Sequence, residues 1–538
     1  MKNAAKLITY PWILPISAAL TALPLLFPKA GVLGFVSMIP ALLFLFHRVE
    51  EGQNRVRRFY RYGFFYFFPF YLVNYYWFLA LYPMSFAGIT KGQAALTVAL
   101  CWVGLTLLHA VISACLFPLF AALCRTAPVK KFPLMMPFLF SGLYAVLEWC
   151  LTHTFVGVPW ARLALGQIEM PFLPNSAALF GIYFITFCLC LFNGLIAFLL
   201  LHPAGRRTAA ILAAGVVVFH TVCGVIGYCT ADVGKGNSMV IAAVQGNVGS
   251  AEKWNAEYTQ RTKEVYESYT AKAADAGADM VVFPETFLPF YMDEGTPLRE
   301  YICGLATTYG ITIRCGAFAA GENGEEYNAV FTVYPDGRVD DTVYKKRKLV
   351  PFGEYVPFRR VAEVVVPVFA DIGMLTEDLT PGQSSELVDT KWGKIGTLIC
   401  FDSIYEVLTL QSVRDGANVI ILPTNDSWFT DSAAAYMHNN QARYRAIESN
   451  RYFVRAADTG ITDIITPKGK TEGVLAPMTE GMTVGTVYLN TGRTLYSYIG
   501  NLFVYLLIAA LAALPLWQLW HTIHTIKEKK KEKTPHAA

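Results

Sequence analysis

Apolar residues in this chain gather into long blocks, and eight blocks are long enough to cross a bilayer, whose hydrocarbon of about 30 Å needs roughly 20 helical residues. They lie near residues 10–27, 30–47, 62–83, 92–124, 133–153, 176–201, 208–229 and 497–520. Between the seventh and the eighth the pattern changes. There, short apolar runs of strand length alternate with polar stretches of helical length and with turn residues, the rhythm of an α/β domain. Three parts are therefore predicted: a membrane domain over 1–230 with seven transmembrane helices, an inserted domain over 231–496, and an eighth helix with a basic tail over 497–538.

Within the inserted domain, strands are predicted at 238–245, 279–283, 310–319, 394–399, 418–423, 452–457, 461–466 and 482–489. A hairpin is predicted over 328–344, turning at Pro335-Asp336-Gly337, and helices over 252–276, 404–415 and 433–449. No internal repeat is visible.

Charge orients the blocks, because Lys and Arg concentrate in the cytoplasmic loops of membrane proteins. Alternate connections carry Lys2 and Lys6; Arg48, Arg55, Arg57, Arg58 and Arg61; Arg125, Lys130 and Lys131; Arg206 and Arg207; and Lys527, Lys529, Lys530, Lys531 and Lys533. The intervening loops hold little more than Lys29, Lys91 and Arg162. Both termini are thus expected in the cytoplasm and residues 231–496 outside it. The first block begins like a signal peptide but lacks a convincing small-residue cleavage site, so it reads as an uncleaved anchor.

Composition agrees with a polytopic membrane protein, at 54% hydrophobic and 16% charged residues. The net charge of +4 is accounted for by the cytoplasmic loops and calls for no nucleic-acid partner. Of eleven cysteines, only Cys303, Cys315 and Cys400 fall in the inserted domain. Cys303 and Cys315 either pair or are core thiols. No Cys and His spacing resembles a metal site, and no cofactor is expected.

Candidate chemistry sits where strands run out into loops, as is usual for α/β sheets. Glu285 ends a buried run, so it must be paired, solvated or functional. Cys400 after an Ile-rich run is either a core thiol or a nucleophile. The basic run Lys345-Lys346-Arg347-Lys348 is either a solvated face or the source of a cation for the site. The loop that follows, 349–357, is stiffened by Pro351, Gly353 and Pro357 and carries one acid, Glu354. Asn425-Asp426 closes a further apolar run.

Taken in order, several of these segments carry a family resemblance. They are Val244-Gln245-Gly246-Asn247, Lys253-Trp254, Phe283-Pro284-Glu285-Thr286, Tyr327-Asn328, Lys346 with the loop 349–357, Ile399-Cys400, and Asn425-Asp426-Ser427-Trp428-Phe429. Similar too are the segments 441–448 and 459–462 and the outer loop Val158-Pro159-Trp160-Ala161. With them the chain resembles the apolipoprotein N-acyltransferases, bacterial inner-membrane enzymes whose extracytoplasmic domain belongs to the nitrilase, or carbon-nitrogen hydrolase, superfamily.

The resemblance implies a nitrilase-like αββα sandwich facing the periplasm and a triad of Glu285 as general base, Lys346 as oxyanion stabiliser and Cys400 as nucleophile. Lys346 is singled out because it stands three residues before Leu349, as the family's lysine does. Glu354 matches an assisting acid, and Trp254, Asn328, Phe401 and Asn425 are implied to contact substrate. The implied reaction moves an acyl chain from a phospholipid, through a thioester, to the α-amine of the diacylglyceryl-cysteine of an apolipoprotein. A monomer is expected.

One departure stands out: the family commonly has Tyr-Glu after the nucleophile, and this chain has Phe401-Asp402. Either Asp402 or Glu406 is then expected to take the acid's place. Two apolar loops, 287–292 and 364–375, are candidates for admitting acyl chains. The competing enzyme reading is a membrane-tethered amidase that passes the acyl group to water, and a hydrolase needs at most one anchor. A transporter or receptor would show charges along a pathway through its spans, where chiefly Glu148 is present.

Overall fold

Seven helices among the described residues are long and apolar enough to cross a membrane: Pro28–Glu50, Val56–Leu81, Lys91–Leu123, Met135–His153, Ile182–Leu201, Pro203–Thr230 and Leu502–Ile526. The first predicted block holds a shorter apolar helix, Ile13–Leu26, of 14 residues. At 1.5 Å per residue it rises about 21 Å, less than a full hydrocarbon core. The protein is a membrane protein. These elements come from a computed structural model, which describes residues 10–53, 55–84, 89–153, 157–253, 255–359 and 378–532.

The chain divides into two compact units, one of residues up to 75, 103–226 and from 499 onward, the other of 76–102 and 227–498. In the helical unit, Glu148 is buried. Its two oxygens accept from the Leu163 amide at 2.8 Å and the Thr186 hydroxyl at 2.6 Å. A carboxyl satisfied in this way anchors the loop after Arg162. Helices approach closely where side chains are small, and a Cβ on Gly63 would meet the Ala114 carbonyl oxygen at 2.5 Å.

Among the described residues the second unit has twelve strands: β1 (Ser238–Gln245), β2 (Met280–Val282), β3 (Thr312–Ala320), β4 (Glu326–Val333), β5 (Tyr344–Lys345), β6 (Val388–Thr390), β7 (Gly393–Thr397), β8 (Val419–Thr424), β9 (Phe453–Ala457), β10 (Thr462–Ile465), β11 (Thr471–Leu475) and β12 (Gly481–Tyr488). They form two six-stranded sheets, ordered β12-β1-β2-β3-β4-β5 and β11-β10-β9-β8-β7-β6. Both follow one plan. An antiparallel edge strand, β12 or β6, precedes three parallel strands, and two antiparallel strands close the sheet. The topology therefore repeats although no sequence repeat is visible.

The period-2 alternation of side chains assigns the faces. Met239, Ile241 and Ala243 of β1 and Met280 and Val282 of β2 pack with Ile395, Val419, Ile421 and Val454 of the other sheet. Their neighbours Ala242, Val244 and Val281 turn the other way, into a core with Tyr266, Ile302 and Leu305 from helices Ala256–Asp275 and Pro297–Tyr309. Helices Glu406–Arg414 and Ala433–Ser449 lie against the second sheet. The order is helix, sheet, sheet, helix, the αββα sandwich implied by the resemblance. Strands buried on both faces read as continuous apolar runs.

The structure refines several elements. The predicted helix over 252–276 is divided into Ser250–Lys253 and Ala256–Asp275, the latter capped by Asn255, whose side chain accepts from the Glu257 amide at 3.0 Å. Helix Pro297–Tyr309 is additional, with Thr296 as its cap and Gly310 closing it at φ +61. Cys303 and Cys315 are free thiols in one hydrophobic core, which decides between the two readings of that pair.

Candidate active site

Strand register assembles the site's charged cluster. β4 and β5 pair with Ala329 opposite Lys345, and the Lys346 amide donates to the Asn328 carbonyl at 2.8 Å. Asn328 and Lys346 therefore leave the sheet side by side, next to the end of β2, where Glu285 stands. Lys346 Nζ lies 2.7 Å from Glu285 Oε1 and 2.9 Å from Glu354. Asn328 Nδ2 donates to both acids, at 2.7 Å to Glu285 Oε1 and 2.8 Å to Glu354 Oε1. The other Glu285 oxygen accepts from the Asn425 amide at 2.8 Å. All four side chains are largely or fully buried.

The loop 349–357 holds Glu354 as its stiff composition predicts. The Val350 amide donates to Glu354 Oε2 at 2.8 Å, and the Glu354 amide returns a bond to the Val350 carbonyl at 2.9 Å. Burial works against the Lys346 ammonium, but Glu285 and Glu354 more than offset it, so it titrates well above the ordinary lysine range. Burial raises Glu354, Lys346 pulls it down and Glu285 pushes it up, leaving it above the usual carboxylate range.

Cys400 follows β7 and opens a short turn, Cys400–Ile404, in a left-handed conformation at φ +48. Such a backbone is strained for a residue with a Cβ. It is held from three sides. The Ser403 hydroxyl donates to the Cys400 carbonyl at 2.7 Å, and His438 Nε2 lies 3.1 Å from the same oxygen. Asp402 accepts from the Ile399 amide at 3.0 Å, the Tyr344 hydroxyl at 2.8 Å and the Lys348 amide at 2.7 Å. Asp402 thus ties the cysteine turn to the lysine segment, whereas Glu406 is committed to Arg445.

Cys400 is 8% exposed and packs with Val330, Tyr344 and Ile399, surroundings that a core thiol also has. Its electrostatics are not those of a core thiol. Burial raises it well above its usual value, Glu285 adds to the rise, and Lys346 pulls the other way. Cys400, Glu285 and Lys346 thus lie within electrostatic reach of one another, a set of groups that can support nucleophilic attack with general-base help.

Other expectations distribute unevenly. Asn425 contributes its backbone to Glu285, while its side chain is taken up locally by the Ser427 amide and hydroxyl. Phe401 is buried with its ring 5.6 Å from that of Tyr405. In the loop 287–292, Phe287, Leu288 and Met292 are core residues, and only Phe290 and Tyr291 are exposed. Trp254 and the loop 364–375 lie outside the described residues.

Sequence reasoning missed a buried polar layer beneath the cysteine. His438 Nδ1 is 2.8 Å from Asp426 Oδ1, and Arg455 pairs with the other oxygen. Burial pushes Asp426 up, but Arg455 and His438 outweigh it and bring it down to about 2. The signal was present, since Arg455 is a charge inside the apolar strand β9, where it must have a partner. Cys400, Asp426 and His438 bring ligand-type atoms within 4.8 Å of one another, a spacing that a metal could bridge. The Arg455 guanidinium on Asp426 opposes a cation there.

Gly316 in β3 leaves room for the Glu285 turn. A Cβ there would stand 2.6 Å from the Pro284 carbonyl oxygen and the Thr286 amide nitrogen and 2.7 Å from Glu285 Cα. All three are backbone atoms of one turn, which cannot yield cheaply. Gly316→Ala is expected to cost about 1–3 kcal/mol of stability by overpacking and to slow catalysis by displacing Glu285. Thermal unfolding beside an activity assay checks this; wild-type values in both would refute it.

Comparison with known proteins agrees with the two units. Residues 17–195 match the apolipoprotein N-acyltransferase N-terminal domain and residues 240–496 the carbon-nitrogen hydrolase domain. The chain is 32% identical over 380 residues to an apolipoprotein N-acyltransferase of Geobacter metallireducens, covering 69% of this chain and 72% of that one. It is 30% identical over 368 residues to one of Methylococcus capsulatus, covering 67% and 70%, and 27% identical over 494 residues to one of Gloeobacter violaceus, covering 90% and 89%. Likeness of this degree, across both the helical and the sandwich unit, makes the chain a member of the apolipoprotein N-acyltransferase family.

Proposed function

We propose that the protein transfers an acyl chain from a phospholipid to the α-amino group of an apolipoprotein whose N-terminal cysteine carries diacylglycerol. Family membership supports the reaction class. The observation that carries it to named residues is Lys346 bonded to both Glu285 and Glu354, with the buried Cys400 thiol within electrostatic reach of Lys346 and Glu285.

In this reading Glu285 takes the thiol proton as Cys400 Sγ attacks the ester carbonyl carbon of the phospholipid. Charge developing on the carbonyl oxygen is stabilised by Lys346 and a backbone N–H after the nucleophile; one such donor is typically worth about 3–4 kcal/mol. The ester C–O bond then breaks, Glu285 returns the proton to the departing lysophospholipid oxygen, and an S-acyl enzyme remains. The free α-amine attacks the thioester carbon and gives a proton to Glu285. The thiolate leaves and recovers that proton as the amide forms. Glu354 and Asn328 hold Glu285 and Lys346 in register, Asp402 holds the cysteine turn, and Trp254 and Phe401 border the acyl chain.

The seven leading blocks over 1–230 and the last over 497–538 hold the catalytic domain, 231–496, at the outer leaflet, where both lipid-anchored substrates are concentrated. The Lys and Arg distribution supports an inner-membrane location with a periplasmic catalytic domain and cytoplasmic termini. The enzyme acts as a monomer.

The test is to give purified protein a phospholipid, then a diacylated lipopeptide. A hydroxylamine-sensitive acyl adduct is expected first, and an N-acylated peptide after it, both read by mass spectrometry. Release of free fatty acid with no N-acyl peptide would replace this reading with a hydrolase.

A further inference from the structure

Lys253 takes no part in the steps above, yet it is a buried cation in contact with the proposed base. It ends the one-turn helix Ser250–Lys253 after β1, with its side chain 1% exposed. Its ammonium donates to the Glu285 main-chain carbonyl at 2.8 Å and pairs with Asp458. Burying an ammonium is costly unless its partners are exact, so the placement asks for a reason.

Asp458, just beyond β9, is as fully engaged as the lysine. One oxygen takes Lys253, and the other accepts from the Tyr266 hydroxyl at 3.2 Å. Its carbonyl accepts from the Asn247 amide at 2.8 Å, and its amide donates to the Thr424 carbonyl at 3.2 Å. Thr424 precedes Asn425, whose amide holds the Glu285 carboxylate. Lys253 therefore closes a ring through the ends of β1, β2, β8 and β9. Within it Glu285 is held twice: by its carboxylate, through Lys346, Asn328 and Asn425, and by its main chain, through Lys253.

We propose that Lys253 is a positioning residue for acyl transfer, fixing the Glu285 backbone so that its carboxylate meets the Cys400 thiol in attack geometry. The proposal rests on Glu285 acting as the base. A rigid carboxylate needs a rigid main chain, and a displacement of about 1 Å can cost on the order of 100-fold in rate.

A merely structural role is separable from this one. Lys253→Met alone strands the Asp458 carboxylate, so it is compared with K253M/D458N, which removes both charges together, and with D458N. If Lys253 positions Glu285, the double variant melts near the wild-type temperature, yet its rate of thioester formation falls about 100-fold with little change in KM for phospholipid. A double variant that acylates within about threefold of wild type overturns the proposal, as does a loss confined to KM. In the same assay wild type reports on the underlying reading: if wild type forms no thioester, that reading fails, whereas normal acylation by wild type and double variant together defeats only the role of Lys253.

Discussion

Cys400→Ala is expected to form no hydroxylamine-sensitive adduct and to lose acyl transfer by on the order of 10⁴-fold or more, as removal of a nucleophile does elsewhere. The Ser403 hydroxyl is no substitute. Ser403 donates to the Cys400 carbonyl and touches His438, so its oxygen is spent in holding the turn. Stability should change little, because alanine keeps the Cβ and the bonds that hold φ +48 run through the carbonyl and through Asp402, the sulfur adding only a 3.9 Å bond to the Asn425 carbonyl. The measurement is intact-protein mass after incubation with phospholipid, beside thermal unfolding. An adduct on the alanine variant would remove Cys400 from the mechanism.

The second large effect is expected at Lys346, where stability and rate should fall together. Lys346→Met leaves Glu285 and Glu354 buried beside each other with Asn328 bridging them and no ammonium between. Breaking a buried pair in this way costs about 3–5 kcal/mol. In the proposed mechanism catalysis also loses an oxyanion donor, worth about 10²–10³ in rate. It also loses the group that pulls the Cys400 thiol down against burial and Glu285, so the total should exceed the oxyanion contribution alone.

A second substitution separates the two losses. Adding Glu354→Gln to Lys346→Met removes one of the two crowded carboxylates, so melting temperature should recover in part while thioester formation stays lost. Recovery of both would mean that Lys346 only balances charge. Near-wild-type acylation by Lys346→Met alone would exclude it as the oxyanion stabiliser.

How much of this was legible before folding depends on how local each signal is. Helix Ala433–Ser449 has its predicted bounds because Ser432 caps it and Asn450 ends it in a left-handed turn. Strands β1, β8 and β9 stood out as apolar runs between turn residues. Helix Pro297–Tyr309 has local signals too, in Thr296, Pro297 and the spacing of Leu298, Ile302 and Leu305. β6 and β11 were harder. They are short edge strands with exposed residues, and pairing with β7 and β10 alone makes them strands.

The same division runs through the site. Residue type and position marked Glu285, Glu354 and Cys400 as candidates, because each follows an apolar run or sits in a stiff loop, whereas Lys346 is singled out from its basic run only by the family resemblance. Partnership was another matter. That Asn425 serves Glu285 through its amide while its side chain turns to Ser427, that Phe287, Leu288 and Met292 are core, and that Lys253 and His438 grip the main chains of Glu285 and Cys400 all depend on which strand ends meet. By itself the sequence determined the membrane blocks, the α/β rhythm and the identity of the candidate chemical groups, since hydrophobic period and residue type are written locally. Only the tertiary structure decided their partners. Two sheets of one plan bring together chain segments more than a hundred residues apart, and a buried charge takes its meaning from the group that packing sets against it.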